Sequence, residues 1–386
     1  MGQERWAMPE KRVRLCQHCG VGGFLETYIA SLALLSFLEQ GVLTPQTPES
    51  WVIGVQDYDD EMYLLGVINS VRELERYAVN RGQELDLRSV RLCLGAAQCL
   101  EEALMQFSFR NSDLRQRFDG VKYTVKKLES LAYEIDLARQ RAAAAAGPTS
   151  KSAAAQTSQP DSAAPGAVDL ELIGKMKVRY EAFDEQRETV MKRSRDIGKA
   201  AKNAIYALHR EDYRKADSFL KQCVKDATEI YDTVVINYPR LRDGFFSATL
   251  EEFVEALVYR AFRQEQQLLS LQQVQEGSSL RFPFSINEYL GGIMDLTGEV
   301  CRFAIRSASG GRQAKDKVEL SLACVDAVYN GLQELPLLPG QLGKKMRPLK
   351  STLTKVETAL YELALLSQGV SSRPPDIEEG TDALDE

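Results

Sequence analysis

LETYIASLALLSF, Leu25 to Phe37, aligns residue for residue with LEEFVEALVYRAF, Leu250 to Phe262, at an offset of 225. Further along, YLLGVINSVRELERYAV from Tyr63 aligns with YLGGIMDLTGEVCRFAI from Tyr289, at an offset of 226. VKYTVKKLESLAYEI from Val121 aligns with LKSTLTKVETALYEL from Leu349, at an offset of 228. Three blocks in one order at a nearly constant offset are the signature of an internal duplication. The copies are unequal at their fronts. About 80 residues of helical sequence precede Leu250, whereas only about 24 precede Leu25.

The periodicity within each copy is helical. Ile197, Ala201, Ile205 and Leu208, then Phe219, Cys223, Ala227 and Tyr231, recur at three- and four-residue intervals. Strand-like alternation is short, with Trp51 to Val55 the best case, so the predicted class is all-α. Between the copies, Arg141 to Ala167 passes from an alanine run into a Ser, Gln, Pro and Gly mixture that has little to bury and reads as a flexible linker. The expected organisation is therefore an N-terminal segment, 1–24; a first repeat without its front, 25–140; a linker, 141–168; a second repeat, 169–370; and an acidic tail, 371–386.

Composition narrows the chemistry. Of 386 residues, 44% are hydrophobic and 27% charged, the balance of a soluble globular protein, and no stretch approaches the roughly 18 apolar residues of a membrane span. Seven scattered cysteines suggest no disulfide framework, and with no secretory signal pattern the expected location is cytoplasm and nucleus. Cys16 and Cys19 have the spacing of half a zinc site, but no second pair exists. The formal charge of −7 confines any nucleic-acid contact to a local patch. Only His18 and His209 are present, which leaves Ser-His-Asp and His-rich metal chemistry few members and turns attention to carboxylates.

In the second repeat Glu252 and Glu255 are spaced i, i+3, and Asp295 and Glu299 i, i+4, so each pair shares one helix face. Both stretches are otherwise apolar. Such pairs on a helix are commonly a solvated face; turned inward together, they repel one another until a cation joins them. A hard divalent ion such as Mg²⁺ takes oxygen ligands and activates water beside a phosphodiester. In the first repeat, Thr27, Ala30 and Asn69 stand at the positions of Glu252, Glu255 and Asp295, and only Glu73 answers Glu299. The scaffold is kept and three of four acids differ, as one active and one inactive subunit would show.

These segments also carry a resemblance. SRDIGKAAKNAIYALHR from Ser194, LEEFVEA from Leu250 and YLGGIMDLTGEVCRFAIRS from Tyr289 resemble the translin-associated protein X type of the translin family. YLLGVINSVRELERYAVN from Tyr63 and NSDLRQRFDGVKYTVKKLESLAYEI from Asn111 resemble the C-terminal portion of the translin type. The resemblance implies helical-bundle domains that assemble with translin-family subunits into an octamer-like shell and bind single-stranded RNA or DNA. It further implies a Mg²⁺-dependent endoribonuclease site at Glu252, Glu255, Asp295 and Glu299, with roles in passenger-strand removal or transfer-RNA fragment trimming. A non-catalytic single-stranded nucleic-acid binder is the competing expectation.

Basic residues complete the reading. Lys192, Arg195, Lys199 and Lys202 form one helix face able to track phosphates, or simply to be solvated. Arg76 and Arg302 stand one turn after Glu73 and Glu299; each either positions a phosphate or pairs with its carboxylate, and Arg302 joins the candidate nucleic-acid residues. Lys344, Lys345, Arg347 and Lys350 lie opposite Arg115, Arg117 and Lys122 of the first repeat.

Overall fold

A computed structural model of the chain describes residues 22–44, 60–110, 112–145, 167–336, 338 and 340–367. The strand-like alternation at Trp51 to Val55, the Cys16/Cys19 pair, most of the linker and the acidic tail lie outside them. The described residues are all-α, without a strand. In chain order the helices are α1 (Gly22–Gln40), α2 (Asp60–Gln83), α3 (Leu87–Met105), α4 (Asp113–Ala145), α5 (Leu170–His209), α6 (Tyr213–Ile230), α7 (Phe245–Glu265), α8 (Leu271–Ser278), α9 (Ile286–Ala308), α10 (Lys315–Gln333) and α11 (Gly340–Ser367). The first alanines after Arg141 extend α4, as their high helix propensity favours. The chain divides into two compact units, Met1–Glu185 and Gln186–Glu386.

In the first unit α2 packs against α1, α3 and α4, and α3 packs against α4. Leu25 and Ile29 of α1 are buried beside Leu64, Val67 and Val71 of α2. Gly66 makes the crossing possible: a Cβ placed there would stand 2.5 Å from Ile29 Cβ and 3.1 Å from the Glu26 carbonyl oxygen. Residues at the end of the expected linker and just beyond it also belong to this unit. Ala167, Val168, Ile173, Met176 and Tyr180 join its core. Leu43 N–H donates to the Ala167 carbonyl at 2.7 Å, Tyr180 meets Phe107 and Phe109 edge-on, and Arg179 forms a bidentate pair with Asp60 at 2.6 and 2.7 Å.

The second unit repeats the pattern. α9 packs against α7, α10 and α11, and α10 against α11. Leu250 and Val254 take the buried places of Leu25 and Ile29. Gly292 takes that of Gly66: its Cβ would meet Val254 Cγ1 at 2.7 Å and the Glu251 carbonyl oxygen at 2.9 Å. The duplication read in the sequence is thus a duplication of helix order, packing partners and crossing glycine. The start of α9 is anchored by a capping box in which Ser285 Oγ accepts from Glu288 N–H and Glu288 accepts from Ser285 N–H. Buried Glu288 is neutralised by Arg242, whose guanidinium lies over Phe246 and Phe282. This anchor sets the helix that carries Asp295 and Glu299.

Candidate carboxylate site

The second unit brings the four predicted carboxylates to one place. Glu252 and Glu255 come from α7, Asp295 and Glu299 from α9, the two helices that cross at Gly292. Glu255 is the central member. Burial first, then the negative charges of Asp295, Glu299 and Glu252, push its pKa up to about 8. Each of the outer three is held by a cation or an imidazole. Lys202 Nζ lies 2.9 Å from Glu252, Lys345 Nζ 2.6 Å from Asp295, and Glu299 pairs with His209 and, at 3.7 Å, with Arg302. The hydrogen bond from His209 is the leading reason that the pKa of Glu299 is lowered. Glu255 has no hydrogen bond or ion pair among the described residues.

Three members of this site were not assigned to it by the sequence reading, which had Lys345 only in the basic cluster opposite Arg117. Glu251 of α7 accepts from Lys345 and lies so near Gly291 of α9 that a Cβ there would stand 2.3 Å from its carboxyl carbon. Burial raises the pKa of Glu251 against the opposing pull of Lys345. Lys345 thereby bridges Glu251 and Asp295, and these carboxylates outweigh burial and raise its own pKa. His209, noted only for its rarity, faces Glu299 with Nε2 and lies 3.0 Å from the Tyr259 hydroxyl with Nδ1. Both ring nitrogens of His209 thus have a partner, and Arg263 donates to the Tyr259 hydroxyl at 3.4 Å. A signal for Glu251 was present: it aligns with Glu26 in the first repeat, an acid kept in both copies.

In the first unit Thr27 and Ala30 supply no carboxylates, yet the bridge survives. Asn69 donates to Glu26 at 3.3 Å and accepts from Arg117 at 2.8 Å, and Arg117 lies 3.7 Å from Glu26. Arg76 turns back to Glu73 at 3.0 Å, as Arg302 does to Glu299.

The basic face of α5 is exposed at Lys192, Arg195, Lys199 and Lys202. Lys199 pairs with Asp196 at 3.2 Å, and Lys202 joins the stripe to the carboxylates through Glu252. α5 approaches closely because residue 198 is glycine; a Cβ there would stand 2.7 Å from a Glu252 carboxylate oxygen.

The donor chemistry of the site suits a hard divalent cation: oxygen ligands only, with one largely buried carboxyl that has no hydrogen bond or ion pair among the described residues and is offset only in part by the charge of Lys345. With the outer carboxylates turned to Lys202, Lys345 and His209, no three acidic, histidine or cysteine side chains among the described residues converge closely enough to hold one ion. Among the same residues no helix is long and apolar enough to cross a membrane, and Cys93, Cys99, Cys223, Cys301 and Cys324 are free thiols.

A duplicated helical bundle with an acidic cluster in its second copy defines the class. The translin family model matches residues 11–139 and 185–366, and the chain belongs to the translin family. The translin-associated protein X homolog of Schizosaccharomyces pombe is 25% identical over 199 residues, 47% of this chain and 82% of that protein. Translin of Gallus gallus is 28% identical over 121 residues, 29% of this chain and 52% of that protein. The crystal structure of AfC3PO aligns with 51% of this chain and 99% of its own, at 17% identity and a TM-score of 0.42.

Proposed function

We propose that this chain is a Mg²⁺-dependent endoribonuclease acting on single-stranded RNA, with its site in the second repeat and a non-catalytic first repeat. The supporting observation is Glu255, a largely buried carboxyl without a hydrogen bond or ion pair among the described residues, whose pKa burial first and then three further carboxylates raise to about 8. Glu252, Glu255, Asp295 and Glu299 would hold the ion, which supplies a water of lowered pKa and neutralises charge on the phosphodiester. Lys345 holds Asp295, and His209 holds Glu299, so that two of the four enter with fixed orientation. Lys202 is 69% exposed and free to leave Glu252 for a phosphate. Arg302, also exposed, stands ready for the same task beside Glu299. Lys192, Arg195 and Lys199 track the strand towards the site.

The proposal extends to single-stranded DNA as a bound strand, and to self-association or pairing with translin-family subunits in an octamer-like shell. Passenger-strand removal or transfer-RNA fragment trimming, in cytoplasm and nucleus, are its proposed settings. A second reading, a binder that does not cut, draws on the fact that Lys202, Lys345 and His209 already engage three of the four acids. Incubating labelled single-stranded RNA with the full chain in Mg²⁺ and in EDTA separates them. Cutting that needs Mg²⁺ and disappears in Glu255→Gln supports the enzyme; binding without cutting leaves the second reading.

A further inference from the structure

Lys202, Tyr206 and His209 stand at i, i+4 and i+7 on α5, within one narrow arc of its surface. The two outer members touch the carboxylate site: Lys202 reaches Glu252 at 2.9 Å and His209 reaches Glu299. Tyr206, between them, is therefore at the rim of the same site. Unlike its neighbours Ala204 and Ile205, which are buried, it leaves 54% of its surface open. Arg210, one turn on, lays its guanidinium 4.5 Å from the ring centroid. An exposed aromatic ring backed by a cation, at the end of a stripe of lysines and beside clustered carboxylates, has the makings of a stacking surface rather than of a core residue.

We infer that Tyr206, backed by Arg210, is a platform on which an unpaired nucleobase stacks while the adjoining phosphate lies over the carboxylates. The inference rests on the nucleic-acid reading above and deepens it: the ligand is a single strand with accessible base faces, since a paired and stacked base offers none. The stripe of lysines engages the backbone and Tyr206 the base, so the two contributions separate by probe.

The test uses the full chain in EDTA, where cutting cannot interfere. Single-stranded RNA and an abasic strand of the same length are the probes. Tyr206→Ala is expected to weaken RNA binding by about tenfold or more while leaving the abasic strand unchanged. Tyr206→Phe is expected to restore RNA binding, because the ring and not the hydroxyl is used. Fluorescence of Tyr206→Trp, measured against wild type with its own Trp6 and Trp51, is expected to be quenched by RNA and not by the abasic strand. Equal loss for both strands, no loss for either, a change in native mass on Tyr206→Ala, or a Trp signal blind to RNA overturns the platform. In those cases wild-type binding persists and the nucleic-acid reading stands; wild type that binds neither strand removes both.

Discussion

Arg117 and Lys345 hold matching places on the last helix of their repeats and bridge matching partners: Glu26 and Asn69 for the arginine, Glu251 and Asp295 for the lysine. One cation between the first and second helices of the repeat is thus part of the shared scaffold. The second copy adds to it Glu252, Glu255 and the charge on residue 295. Its acidic site is built around the clasp that both copies share.

The clasp is worth more in the second copy, where it neutralises two carboxylates. Lys345→Met is expected to lower stability by about 1–3 kcal/mol, because it strands Glu251 and Asp295 without a counter-charge. Arg117→Met, whose partners are one carboxylate at 3.7 Å and one neutral amide, is expected to cost about 1 kcal/mol or less. Urea unfolding of the two variants measures the difference; equal losses would contradict it.

Glu255 makes the metal-free protein sensitive to alkali. Its folded pKa, about 8, lies above its unfolded value near 4.3, so the folded state holds the proton more tightly. Stability is full below the unfolded value and declines as pH rises through the window to about 8, by an amount on the order of a few kcal/mol. In EDTA the melting temperature of wild type is expected to fall between pH 5 and pH 8 more steeply than that of Glu255→Gln. Parallel profiles would count against an uncompensated carboxyl at this position.

Gly292 and Gly198 differ in what presses on them. Gly292→Ala drives a methyl against Val254 and the Glu251 backbone oxygen, which cannot yield without moving α7 from α9, so a loss of about 1–3 kcal/mol is expected. Gly198→Ala meets only the end of the Glu252 side chain, which can rotate away. That variant is expected to keep the wild-type melting temperature within a few degrees while changing Mg²⁺ affinity. Isothermal titration and thermal melts of the pair decide; the reverse ranking would be inconsistent with the packing described.

Much of this was open to reading from residues alone. The repeat showed in aligned apolar positions such as Leu25 with Leu250, because burial against a neighbouring helix constrains those positions in both copies. Helical spacing put Glu252 with Glu255, and Asp295 with Glu299, each on one helix face; that the two faces meet comes from the crossing of α7 and α9. Lys345 did not, because its partners lie 94 and 50 residues away and only the fold brings them together. Glu251 was passed over for a different reason: attention to acids that differ between the copies hid an acid that both retain. Nor does an apolar pattern state which core it joins: Ala167 and Val168, read as the end of the linker, and Ile173, Met176 and Tyr180, read with the second repeat, lie in the core of the first unit.

That last placement has its own consequence. A fragment ending at Ala145 lacks Tyr180, which packs on Phe107 and Phe109, and Arg179, which pairs with Asp60. Residues 1–185 are expected to unfold cooperatively and resist protease, whereas residues 1–145 are expected to melt several degrees lower or without a clear transition. Circular dichroism of both fragments makes the comparison, and equal stability would show that the segment after the linker is dispensable.

The sharing of one hard cation by the second-repeat carboxylates is tested most directly by anomalous scattering from crystals of the full chain soaked in Mn²⁺, with Glu255→Gln as the control. The expected result is a peak at about 2.0–2.3 Å from oxygens of Glu255 and at least two of Glu252, Asp295 and Glu299 in wild type, and its loss in the variant. A wild-type map with no peak there, and with Lys202 and Lys345 still on their carboxylates, would contradict it.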